Sequence, residues 1–423
     1  MLTTMPPIAM LWDSSHIWGF MALRSLWSLG FPIRLLKGSE IAHGALFRKT
    51  EEGARFCMLL VPGGPAAPKC EALGEDGREA VREYLKQGGR YLGFCGGAGL
   101  ALSHSRGIGL CPWKRAEYPQ RLLHLISGYT LAEPVAHELT PDWDGHNPSL
   151  PVWWPGRFSN CGGEVDVLAR YKGPDKDFCI GDIALETVPI HVFKEWKSRY
   201  GLNLTADFLS GEEIIVRGEY GKGEYVLSYS HLETPASPDA NSWLIHIIAK
   251  LTGLKAKTGV VPSWDIEAPI SNMSRHVPPS LRAAAENTRE VIALGMEQRL
   301  FFPRTSWLIG WKPGLPGSLC NNLLACVSVA CSLEPTAAAK AYWHKAEPEL
   351  KELGSAFFMG AEGYLLAQRL SYSLSDFMPQ ALDKKSLAHE RDRLFGHPMQ
   401  GNGLLGRLVQ LIEEYIYLCL KEA

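Results

Sequence analysis

The run Gly93-Phe94-Cys95-Gly96-Gly97 constrains this chain more than any other stretch of its 423 residues. It follows the apolar segment Arg90-Tyr91-Leu92 and opens a small-residue run, Ala98-Gly99-Leu100-Ala101-Leu102. A strand that turns at once into a helix needs residues without Cβ clashes around the turn, and glycines supply them. The pattern is that of a nucleophile elbow, with the Cys95 thiol pushed out at the helix amino terminus. Partial positive charge and unpaired N–H groups at that position lower a thiol's pKa and can hold a developing oxyanion.

A cysteine nucleophile needs a base, and one lies after the strand-like segment Gly223 to Tyr229, in Ser230-His231-Leu232-Glu233. Residues two apart in extended chain share a side, so the Glu233 carboxylate can reach the His231 imidazole. The expected roles are Cys95 as nucleophile, His231 as general base and acid, and Glu233 as the group that fixes the imidazole tautomer. The apolar run Phe56 to Val61 ends in Pro62-Gly63-Gly64-Pro65. The amide of Gly63 or Gly64, with that of Gly96, is expected to form an oxyanion hole.

Strands and helices alternate over the first hundred residues. Strands are expected at Ile8 to Trp12, Phe31 to Leu36, Phe56 to Val61 and Tyr91 to Phe94, with a helix capped by Ser14 or Ser15, a short one at Ser39 to Phe47 and another at Asp76 to Gln87. Such alternation predicts a doubly wound parallel sheet with functional loops at the carboxyl ends of its strands. From 105 to 230 shorter strands follow, at Leu122 to Ile126, Val152 to Trp154, Val165 to Tyr171, Val188 to Val192, Glu213 to Gly218 and Glu224 to Tyr229. They read as antiparallel additions, and Asn241 to Leu251 as a closing helix.

In these motifs the chain resembles the class I glutamine amidotransferase-like domain, and more closely the amino-terminal domain of eukaryotic-type biotin protein ligases. The finer match rests on Pro62-Gly63-Gly64, Pro68-Lys69-Cys70, Gly88 to Cys95, Val152-Trp153-Trp154-Pro155-Gly156 and Gly221-Lys222-Gly223. It implies a flavodoxin-like fold over residues 1–254 and amide hydrolysis or amide-nitrogen transfer through a thioester. Working glutaminases of this class carry Gln where this chain has Gly99, and Pro where it has Leu232. No Gly-Arg-Gly-Arg-x-Gly run of the kind biotin ligases use is present, so biotin transfer is not expected. Two readings stand: a cysteine-dependent amidotransferase or amidohydrolase acting on a small-molecule amide, and an inactive ligand-binding or regulatory module.

With 43 basic and 45 acidic residues there is no electrostatic case for nucleic acid or an anionic membrane. No apolar run approaches the ~20 residues of a membrane span, and Met1 to Pro7 lacks the features of a secretion signal. A cytoplasmic protein is expected. The ten cysteines show no paired Cys-x-x-Cys spacing, and Cys320, Cys326 and Cys331 read as small buried hydrophobes, so neither metal nor cofactor is expected.

A linker is expected over 255–279 and a helical domain over 280–423, with helices at Leu281 to Arg299, Ala337 to Tyr364 and Gly403 to Lys421. That domain is the expected surface for a partner protein or a homo-oligomer. Trp154 and Gly156 are candidate pocket residues, with Trp153 as a wall or as packing. His16 reads as a first-turn helix residue near the site, and Lys37 and Arg115 as solvated surface. His104 and Arg106 fall at the far end of the elbow helix.

Overall fold

The computed structural model describes residues 6–13, 16–47, 56–117, 125–263, 273–397 and 402–421. The chain divides into two compact units, Met1–Pro262 and Ser263–Ala423. Ser14, Ser15 and residues 122–124, which carried part of the expected capping and strand pattern, lie outside the described residues.

The amino-terminal unit begins as alternating strands and helices: β1 (Ile8–Leu11), α1 (His16–Leu29), β2 (Ile33–Leu36), α2 (Gly38–Ala42), β3 (Met58–Val61), α3 (Ala66–Lys86), β4 (Arg90–Phe94) and α4 (Gly96–Ala101). The strands β5 (Lys114–Arg115), β6 (Ile126–Pro134), β7 (Ser149–Trp153), β8 (Phe158–Ser159), β9 (Val165–Pro174), β10 (Cys179–Ile180) and β11 (Ile183–Ala184) follow. Then come α5 (Ile190–Tyr200), β12 (Glu213–Tyr220), β13 (Gly223–Ser228) and α6 (Pro238–Thr252).

Strands β2, β1, β3, β4 and β13 run parallel in that spatial order. Numbered along the chain as five parallel strands, this is the 2-1-3-4-5 order of flavodoxin-like sheets. All four residues of β1 and of β3 are buried, as expected for strands covered on both faces. Beyond β13 the sheet continues antiparallel through β12, β9 and β6, with β7 and β10 both on β6. The unit is therefore α/β, with a parallel core and an antiparallel extension.

The topology makes neighbours of the three sequence motifs. The first glycine turn follows β3, the elbow follows β4 and His231 follows β13. These are adjacent parallel strands, so the three segments leave the same edge side by side.

Val188 to Val192 is not a strand, because Pro189 caps the helix α5, whose carboxyl end carries Lys197 and Arg199 and closes on Gly201 at φ 66°. A starting proline, terminal cations and a left-handed glycine outweigh the strand preference of Val188, Ile190 and Val192. The helix expected at Asp76 to Gln87 is present and ends at Lys86, and a further helical segment from Ala66 precedes it across a break at Gly74, whose φ of 60° and ψ of −168° are not helical.

The carboxyl-terminal unit contains α7 (Pro279–Glu297), a hairpin of β14 (Phe301–Thr305) and β15 (Leu308–Trp311), then α8 (Gly317–Ser332), α9 (Ala337–Leu374), α10 (Lys384–Phe395) and α11 (Gly403–Lys421). The sequence pattern anticipates neither the hairpin nor α10, and α9 runs ten residues past Tyr364. Pro303 is tolerated in a ladder of only two strands, where one side of each strand needs no partner. Asn321 of α8 ties the hairpin down by bonding both the N–H and the carbonyl of Ile309. Cys320, Cys326 and Cys331 are buried, and burial pushes their thiols well up, to about 12 for Cys320 and Cys331. They behave as small apolar residues.

Among the described residues, no helix is long and apolar enough to cross a membrane, and no cluster of three or more His, Cys, Asp or Glu could hold a metal ion.

Candidate active site

Cys95 sits between β4 and α4 with φ 46° and ψ −104°. A non-glycine residue there carries roughly 1–3 kcal/mol of strain, which persists only where surrounding structure imposes it. The imposing contacts are visible. The Cys95 N–H donates to Ser228 O at 2.7 Å, locking the elbow to the end of β13. A Cβ on Gly96 would lie 1.7 Å from Gly64 O, and one on Gly97 2.1 Å from Val61 O. Glycine is thus required because the elbow packs directly on the backbone of the first turn.

Three residues beyond the β13 anchor, His231 is completely buried and its Nδ1 lies 2.8 Å from Glu233 Oε1, with Glu233 1% exposed. The His231 N–H and the Ser230 hydroxyl both donate to Pro151 O of β7, fixing the loop from the other side. With Nδ1 engaged by Glu233, Nε2 is the nitrogen left for the thiol. Nε2 is buried and has no hydrogen bond of standard geometry among the described residues.

The electrostatics couple the three groups. Burial alone would raise the Cys95 thiol, but the adjacent imidazole of His231 outweighs it and holds the pKa below the usual thiol value; Arg115 assists. Burial alone would lower His231, yet the Glu233 charge and the interaction with Cys95 raise it. The pair therefore favours thiolate beside imidazolium. Cys95 is partly exposed and its Sγ approaches Trp153 O at 4.0 Å.

The candidate oxyanion donors adjoin this pair. A Cβ on Gly63 would fall 2.6 Å from His231 Cε1, so this turn lies against the imidazole. Among the described residues, the amides of Gly63, Gly64 and Gly96 make no backbone hydrogen bond that would divert them.

Several side chains escaped the sequence reading. The Trp18 ring lies 4.5 Å from that of His231 and 5.2 Å from that of Trp153, giving the imidazole an aromatic cover. Lys69 is fully buried and its Nζ donates to Gly63 O at 2.9 Å, bracing the first turn. For Trp18 the only sequence signal was an aromatic in the first helix, and Lys69 stood in the Pro68-Lys69-Cys70 match without a role assigned to it. Arg115 is exposed, yet close enough for its charge to act on the thiol. Of the two proposed pocket residues, Trp154 follows the end of β7 with φ 48° and is half-buried. Gly156 packs under Tyr229, whose ring a Cβ would meet at 2.2 Å, and accepts from the Tyr171 hydroxyl. Its contacts are structural.

His16, with φ 55°, lies against the same turn, its Cβ 3.3 Å from where one on Gly64 would be. Burial, and then the charge of Lys69, pushes its pKa down to about 3. A histidine whose folded pKa lies below its unfolded value stabilises the fold above the unfolded pKa, and this contribution declines as pH falls below about 6.5. The expected result is that the His16 ring signals do not titrate between about pH 5 and pH 8 in histidine-labelled NMR spectra. A midpoint near the ordinary value would contradict its burial.

Residues 45–105 match the family described as Biotin-protein ligase, N terminal. That span takes in the first turn and the elbow and ends before His231. A protein of Chlamydia muridarum with no described function is 29% identical over 86 residues, 19% of this chain and 31% of that protein, so the match spans about a third of the relative's length. Among solved structures, a glutamine amidotransferase aligns at 18% identity and TM-score 0.36, covering 58% of this chain and 99% of that one. A Thermoplasma acidophilum protein assigned to GMP synthase aligns at 13% and 0.34, covering 59% and 96%. The β-galactosidase of Bacillus circulans sp. alkalophilus aligns at 13% and 0.32, covering 59% and 31%. Residues 45–105 of the amino-terminal unit thus resemble the biotin-protein ligase amino-terminal family.

Proposed function

We propose that the amino-terminal unit is a thiol-dependent acyl-transfer centre that cleaves the amide of a small molecule. The observation that carries this reading is the strained backbone of Cys95, held at the elbow beside the buried His231–Glu233 pair. Strain and buried charge together are what a fold retains for chemistry.

In this mechanism the Cys95 thiolate attacks the amide carbon, and the carbonyl electrons move onto oxygen, where the amides of Gly63 or Gly64 and of Gly96 receive the charge. The C–N bond breaks as His231 Nε2 gives its proton to the departing nitrogen, leaving a thioester on Cys95. Water, deprotonated by His231, then releases the acid and restores the thiol. Glu233 keeps Nε2 facing the reacting atoms and favours the imidazolium. The substrate is not assigned to glutamine, because Gly99 stands where working glutaminases carry Gln. A Cβ at Gly99 would meet no atom within 4 Å, so the position is vacant space beside the elbow.

An activated ester such as p-nitrophenyl acetate tests the chemistry without knowledge of the substrate. Intact-mass and peptide analysis after rapid quenching should show one acetyl group on Cys95, lost on further incubation. In His231→Ala the adduct should form more slowly and persist. No adduct on Cys95, or acetylation spread over other side chains, would instead support the ligand-binding reading.

A further inference from the structure

Helix α9 buries one face through Phe357, Phe358, Ala361, Tyr364 and Leu365. Its opposite face is exposed and apolar: Met359 is 71% exposed, Leu366 48% and Leu370 48%. With Gly363 these residues are spaced by four, three and four, the alternation of an interhelical seam. Just past the helix end, Phe377 and Met378 are also exposed. Large apolar side chains grouped on one exposed helix face are a feature of interaction surfaces.

We propose that this face pairs with the same face of a second copy of this chain, the two α9 helices running antiparallel about a twofold axis. Two features select this occupant. In that register Met359 of each copy meets Leu370 of the other, and Leu366 enters the space above Gly363, where an added Cβ would touch nothing within 4 Å. A large side chain is thereby matched to a vacancy, twice, by symmetry. The flanking charges agree as well. Glu362, one residue before Gly363, is brought beside Arg369 of the other copy, and Arg369 beside its Glu362. Within its own chain Arg369 donates to Ser373 Oγ, one turn on along the same helix. In a parallel pairing these two positions would lie on opposite sides of the seam and would not meet. The inference is independent of the chemistry at Cys95.

The test is sedimentation equilibrium of the full chain across a concentration series, with circular dichroism confirming that each variant is folded. The wild type should show a monomer–dimer equilibrium. Glu362→Arg and Arg369→Glu should each weaken the dimer by about tenfold, since each sets like charges opposite one another. The double variant, E362R with R369E, should restore it. A wild type that stays monomeric at the highest concentration would overturn the proposal. So would a double variant no tighter than the single ones, which would mean that another surface joins the copies.

Discussion

Replacing His231 with alanine is expected to slow iodoacetamide alkylation of Cys95 at pH 7 by tenfold or more. In the native protein the imidazole outweighs burial and holds the thiol below its ordinary pKa. Without the imidazole, burial remains as the main influence and pushes the pKa above that value. Each unit of pKa above the working pH removes about nine-tenths of the remaining thiolate, which is the reacting species. Glu233→Gln should give a smaller effect in the same direction, because it removes the charge that raises His231 while leaving the ring in place. A His231→Ala rate equal to wild type would mean that the elbow is architecture only.

Gly96→Ala is expected to destabilise the amino-terminal unit by about 3 kcal/mol or more. The added methyl would fall 1.7 Å from Gly64 O, and both partners are backbone, so neither a rotamer change nor a flexible side chain can absorb the clash. Gly99→Ala, in the same short helix, meets nothing within 4 Å and should be neutral or stabilise by up to about 1 kcal/mol through helix propensity. Urea denaturation followed by tryptophan fluorescence reads both. Equal effects would show that the elbow does not pack on the first turn as described.

The contrast between these glycines shows what was legible in the chain. The elbow could be read because its requirements are local: an apolar strand, glycines on both sides of Cys95 and a run of small residues. The order of turn, elbow and His-x-Glu was readable for the same reason, and the parallel sheet turns that order into proximity by placing β3, β4 and β13 side by side. Trp18 and Lys69 could not be read this way. Each reaches the site only because its helix docks at one rotation on the sheet, and no spacing within the helix records that. Val188 to Val192 misled because β-branched residues resemble a strand until Pro189 and Gly201 are weighed as helix boundaries. In the carboxyl-terminal unit the long helices show their period plainly. The hairpin at Phe301 to Trp311 does not, since it is held by Asn321, a residue outside it.

An activated Cys95 thiol is the premise of the proposed chemistry, and the exposed Cys161 provides an internal reference. Alkylation of the wild-type protein at limiting iodoacetamide, mapped by peptide mass spectrometry at about pH 6.5, compares the two directly, because thiolate fraction rather than exposure governs the rate at that pH. The expected result is that Cys95, though less exposed, reacts faster than Cys161, with the advantage shrinking as pH rises past the ordinary thiol range. Preferential labelling of Cys161 at every pH would contradict the account.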